Sequence, residues 1–154
     1  MTEYPVDSPF LPGDALVGPI IRQIAAIIRQ QVAGVSIVYE TPPDAPPEHN
    51  GVLLALSGFR IISDTNGKLL VSVRVGVRHM IRRASFDENI AEAYAYIMPY
   101  LQAFSAWRNQ TLNGLARQVT PTHGGVTQLV ASGQTFVCLI VNLDVLTEFN
   151  IPTS

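Results

Sequence analysis

Apolar residues recur along this chain at two different spacings, and the changes between them mark its elements. From Pro19 to about Val32, the residues Ile20, Ile21, Ile24, Ile27, Ile28 and Val32 return every three or four positions, with Arg22, Gln23, Arg29 and Gln30 between them. This spacing predicts a helix with one buried face. Pro19 suits the first turn, where an amide hydrogen would have no helical partner, and Gly34 ends the helix. Val35 to Tyr39 is a short β-branched run that reads as a strand. Val52 to Ile62 predicts a longer one. It leads into Asp64-Thr65-Asn66-Gly67, whose Asn-Gly pair is a strong hairpin signal. The return strand, Lys68 to about Arg82, alternates strictly. Leu69, Val71, Val73, Val75, Val77 and Ile81 point one way, and Ser72, Arg74, Gly76, Arg78 and Arg82 the other, which implies one buried face and one polar face.

Ser85-Phe86-Asp87-Glu88 has the form of a capping box, in which Ser85 accepts from the third helical amide and Glu88 reaches back to the cap. The helix it opens is expected to present Phe86, Ile90, Ala93, Tyr94, Ile97, Leu101 and Phe104 on one side, with Pro99 kinking or dividing it. Three strands are then expected: Leu115 to Thr120, Val126 to Ala131 after Gly124-Gly125, and Phe136 to about Phe149. In the last, Val137, Leu139, Val141, Leu143 and Val145 share one face, and Asn142, Asp144 and Glu148 the other. No internal repeat or domain linker interrupts this order. It predicts an α+β fold, an antiparallel or mixed sheet with two main helices packed on one face, over a single domain at 14–154.

Two segments cannot be regular. Residues 1–13 hold Pro5, Pro9 and Pro12 with Tyr4 and Phe10 between them, and read as an extended arm or a disordered terminus. Glu40 to Gly51 contains Pro42, Pro43, Pro46 and Pro47, which stiffen it toward polyproline II and suggest a contact loop.

Composition changes the picture at one point. Asp, Glu, Lys and Arg make up 14% of the chain and hydrophobic residues 47%, with a mean hydropathy of +0.24. An average soluble protein carries roughly 25% charged residues. A small domain this poor in charge either spans a membrane or covers part of its surface with partners. No apolar stretch approaches the roughly 18 residues that a spanning helix needs. The first twenty residues carry Glu3, Asp7 and Asp14 without a basic region, so no secretory signal is expected. Buried contacts with other protein subunits, in the cytoplasm where the chain is made, are the remaining expectation. The net charge of −2 implies no general attraction to nucleic acid.

Candidate chemistry is sparse. His49, His79 and His123 are far apart and form no metal-ligand spacing. His49 and His123 fall in expected loops as solvated residues, and His79 on the apolar register of a strand as a hydrogen-bonded, semi-buried one. Cys138, the only cysteine, lies inside a β run with nothing to lower its pKa. There is no nucleophile elbow, Walker lysine or dinucleotide fingerprint. Asp87 and Glu88 suit a helix start. No catalytic residue, metal or cofactor is expected. One constellation stands out: Arg74, Arg78 and Arg82 on the polar face of one strand, Asp144 and Glu148 on that of another. They could pair between neighbouring subunits or across strands within one subunit. Contact with nucleic-acid phosphates is the weaker alternative, because no aromatic residues interleave with the arginines.

The order of elements resembles the tail terminator (tail-completion) proteins of long-tailed bacteriophages, the lambda-like type. The resemblance spans about residues 15–150 and rests on "GPIIRQIAAIIRQQV", "VSIVY", the proline-rich loop, "KLLVSVRVGVRH", "SFDENIAEAYAYIMPYLQAF" and "TFVCLIVNLDVLTEF". It lies in organisation, not in a diagnostic motif, and other head–tail neck proteins share a similar order. The longer proline-rich N-terminus and the segment around Gly124-Gly125 depart from it. The resemblance implies a virion protein without catalytic residues. It would form a homo-oligomeric ring, usually a hexamer, in contact with the tail tube protein on one side and the head connector on the other, with DNA passing through its lumen.

Overall fold

The computed structural model describes residues 16–65, 67–82 and 85–150. The expected arm with Tyr4 and Phe10 lies outside the described residues, as do Asn66 of the hairpin turn and the Phe86 side chain. The elements are α1 Val17–Gln31, β1 Ile37–Tyr39, β2 Gly51–Thr65, β3 Lys68–Arg82, α2 Phe86–Ser105, β4 Gln118–Ala131 and β5 Gln134–Asn150, with a short 3-10 turn at Trp107–Asn109. The five strands form one sheet in the order β1-β2-β3-β5-β4. β1 runs parallel to β2 and every other pair is antiparallel, so the sheet is mixed and the fold is α+β.

The core is the one the periodicity requires. Val71, Val73, Val75, Val77 and Ile81 of β3 and Val137, Leu139, Val141, Leu143 and Val145 of β5 cluster with Ile20, Ile24 and Ile28 of α1 and Ala93, Tyr100 and Phe104 of α2. Successive strand residues point to opposite faces, so both helices cover the same face of the sheet. Val75 and Leu143 are direct cross-strand partners, both fully buried.

Three elements differ in part from the sequence expectation. α1 starts at Val17, which puts Pro19 two residues inside the helix. The first four helical amides have no acceptor in any case, so proline costs nothing there. α2 is one helix with Pro99 inside it. Proline forfeits a hydrogen bond at that point, and the burial of Ala93 before it and Tyr100, Ala103 and Phe104 after it holds both halves to the same sheet. Of the expected buried face, Ala93 and Phe104 are buried and Ile90 and Ile97 pack against the core, whereas Tyr94 is 58% exposed and Asn89 and Tyr100 are buried in addition.

The helix start is capped differently as well. Ser85 makes no side-chain capping bond. Instead the Ser85 amide donates to Asn89 Oδ1 at 3.1 Å. We therefore expect Asn89→Ala to lower stability by about 1 kcal/mol and Ser85→Ala to be near neutral, read as the difference between their chemical-denaturation midpoints.

The third element is β4. Two strands separated by a glycine pair were expected, and a single strand runs through Pro121 and both glycines. β4 lies at the sheet edge, where a proline without N–H removes no ladder bond. A register shift between Pro121 and His123 absorbs the extra residue, Thr122, as a bulge. Gly124 is required by close approach: a Cβ there would collide with the carbonyl oxygen of Ile140 on β5. Gly124→Ala should push the edge strand away at a cost of about 2 kcal/mol, seen as a lowered melting temperature, while Gly125→Ala, which meets open space, should melt like the parent.

Candidate functional site

The helix-free face of the sheet carries the charged constellation. Register places Arg74 directly opposite Asp144. The guanidinium donates from Nε to Oδ1 at 3.0 Å and from Nη2 to Oδ2 at 3.5 Å. Glu148 accepts from Arg117, the residue before β4, not from a β3 arginine. Both carboxylates are therefore engaged within the subunit, as cross-strand pairing allows. Arg78 and Arg82 are exposed and form no ion pair among the described residues. Cys138 lies on this face in a small second cluster with Met80 and Phe136. Burial pushes its thiol up to about 11, so it stays protonated and unreactive at neutral pH. Among the described residues no group of three or more His, Cys, Asp or Glu side chains could hold a metal ion. No described helix is long and apolar enough to cross a membrane.

The proline loop is fastened at both ends. Arg29 of α1 donates to the Val38 carbonyl at 3.1 Å and pairs with Glu40 at 3.0 Å. Its far end is tied by Gly51 N to Glu48 O at 2.9 Å and by Asn50 N to Met80 O at 2.8 Å. Pro42 is exposed, Pro43 and Pro46 are half-buried and Pro47 is buried. The outer part of the loop thus remains open to a partner while its base is rigid. His49 is exposed, as expected, and is also bonded on both nitrogens: Nδ1 accepts from the Arg82 amide at 3.0 Å and Nε2 meets Glu92 at 3.2 Å. His123 lies not in a loop but at the β4 bulge, where Nε2 is 3.2 Å from Asn142 Nδ2.

His79 was expected to be semi-buried and is fully buried. Its Nδ1 lies 2.7 Å from the Tyr100 hydroxyl and its Nε2 3.0 Å from Asn50 Oδ1, while the Tyr96 ring packs over it at 4.0 Å. Asn50 Oδ1 can only accept, so Nε2 carries the proton and donates, and Nδ1 accepts from Tyr100 O–H. Every polar group is satisfied by the neutral imidazole. Burial, with a smaller push from His49, lowers its pKa from 6.5 to about 4. Burial likewise pushes the Tyr100 hydroxyl up, so it keeps the proton it donates. The cluster ties β3, α2 and the base of the proline loop together. It binds nothing from outside, because no part of the imidazole is accessible.

The exposed apolar surface lies elsewhere. β1 covers only residues 51–53 of β2, so among the described residues nothing pairs with the edge of β2 from Leu54 onward. Along it Leu56, Phe59, Ile61 and Ile62 are 41, 64, 55 and 45% exposed. Leu56, Phe59 and Ile61 stand opposite Val75, Val73 and Val71 and so point to the helix face, but neither helix covers them. At the other edge, α2 and β4 leave an apolar groove of about 310 Å³ between Ile97, Leu101, Pro121, Val126 and Leu139. Neither feature was legible in the alternation of β2 or β4, because bulges interrupt both strands.

Comparison with protein-family models and with curated proteins finds no match to this chain. The class established by the fold is an α+β domain with a mixed sheet, whose β2 and β4 edges carry unpaired stretches among the described residues.

Proposed function

We infer that this protein is a phage tail terminator, a structural virion component that acts by binding. Copies would form a ring, a hexamer by the resemblance, at the head-proximal end of the tail tube, assembled in the host cytoplasm. One ring face would pair with the last tube subunits; the other would stop further addition and receive the head connector, leaving the lumen for DNA. The observation that carries this reading is the combination of 14% charged residues with a row of exposed apolar side chains on an unpaired strand edge. A solitary domain of this size would expose that surface to water and to aggregation. The open outer loop with Pro42 and Pro43, and the unpaired Arg78 and Arg82, supply further contacts for subunits or partners. The order of elements, shared by terminators and other neck proteins, supports this reading, and another neck or adaptor protein is the neighbouring one.

Electron microscopy of particles assembled without the protein tests the role. Tails of irregular length, detached from heads, are expected; uniform tails joined to heads would reject it. Arg78→Glu should leave the melting temperature unchanged, since the side chain is exposed, and should weaken assembly in sedimentation. An unaltered sedimentation profile would remove Arg78 from the contact surface. The apolar groove favours a second reading, a peptide-binding module, which requires the protein to be a stable monomer.

A further inference from the structure

The geometry points to a head-to-tail contact between copies of this chain, in which the β2 edge of one copy joins the β4 edge of the next and seats Phe59 in the groove between α2 and β4. It rests on the assembly reading above, and names the surfaces that would carry it.

Three observations lead to it. The first is direction. Across the order β1-β2-β3-β5-β4, β2 is antiparallel to β3, β3 to β5 and β5 to β4. β4 therefore runs opposite to β2. A β4 edge brought beside the β2 edge of an identically oriented neighbour makes an antiparallel pair, the better-bonded kind. Such a contact is heterologous and generates a ring when the rotation per copy closes.

The second observation is fit. Leu56, Phe59 and Ile61 project from the helix-covered side of the β2 edge. The groove at the β4 edge opens on that same side, where Val126 and Leu139 of the sheet meet Ile97 and Leu101 of α2. The free stretches are residues 54–65 and 118–131. Aligned within one residue of their midpoints, they set Phe59 opposite Gly124, which lies on the same helix-covered face and lines the groove. Its volume of about 310 Å³ admits an aromatic ring with an aliphatic neighbour. Val130, 68% exposed on the same face of β4, extends the apolar contact beyond the groove.

The third observation is area. Leu56, Phe59, Ile61 and Ile62 together leave roughly 400 Å² open, the size of the largest and often functional apolar patch on a domain surface. That is about half of what one partner contributes to a standard interface, and the strand backbone and the groove walls would add to it. The bulges in both strands and Pro121 in β4 deny a foreign strand an uninterrupted ladder. Pairing then depends on the side-chain fit, and the groove of a second copy supplies one.

The test uses two exposed positions, Phe59→Lys on the knob and Thr122→Glu at the groove, with the mass of each protein measured over a concentration series. Both variants should melt like the parent. The parent should form a closed oligomer, and each variant alone should dissociate with at least about a tenfold weaker assembly constant. An equimolar mixture should recover the oligomer with both variants in it, because the lysine of one copy meets the glutamate of the next. An unchanged mass for Phe59→Lys, or a mixture that stays dissociated, would overturn the edge contact while leaving a ring built on other surfaces intact. A parent that remains monomeric at every concentration and on tube ends would remove the ring itself.

Discussion

Val75→Asp is expected to abolish folding. Val75 sits at the centre of β3 with no exposure, opposite the equally buried Leu143 and beneath both helices. A carboxylate placed there finds no cation and no donor, because its neighbours on that face are Val73, Val77 and Leu143. An unpaired buried charge costs several kcal/mol, against a total stability of about 5–15 kcal/mol for a domain. The variant should be insoluble or lack a cooperative melt, and Leu143→Asp should behave alike. A soluble Val75→Asp protein with a parental melt would contradict the register. Phe59→Asp, on the same face but 64% exposed, serves as the control and should fold.

Acid should destabilise the domain through His79. Unfolded, this histidine takes up a proton near pH 6.5; folded, it does so only near 4. Between those values the unfolded chain holds more protons, so falling pH favours unfolding. The contribution is fully present above pH 6.5 and is lost as the pH drops to 4, a change on the order of 3 kcal/mol. The groups facing the ring are the hydroxyls and rings of Tyr96 and Tyr100, Asn50, and His49 beside Glu92; protonation at Nδ1 breaks the bond from Tyr100. His79→Gln keeps a neutral polar group at every pH. It should be less stable than the parent at pH 7 and should lose most of this dependence. Chemical denaturation at pH 7 and pH 4.5 measures both, and equal pH slopes for parent and variant would show that His79 is not the acid-sensitive group.

Strong periodicity made much of the fold legible. α1 and β3 follow from spacing alone, because each buries one continuous face and a shift of one residue would expose it. α2 was legible as a helix and in most of its buried face, since Ala93 and Phe104 are buried and Ile90 and Ile97 pack against the core. Tyr94 turns outward instead, and Tyr100 and Asn89, which accepts from the Ser85 amide at the helix start, are buried. β4 was misread because Pro121, Gly124 and Gly125 are strand breakers in a central position and tolerable at an edge. The Arg74–Asp144 pair could not be separated from an intersubunit pair until the register of β3 against β5 was fixed. The apolar row on β2 was hidden because bulges after Leu56 and Ile61 break the period of two. The His79 cluster joins residues 29 positions apart on one side and 21 on the other, a contact that no local pattern announces.

The central claim is that the apolar exterior of this domain is covered by other copies of itself. Light scattering or native mass spectrometry of the intact protein, free and in the presence of tail-tube ends, tests it most directly. A closed oligomer of defined stoichiometry is the predicted result. A monodisperse single copy under both conditions would contradict it.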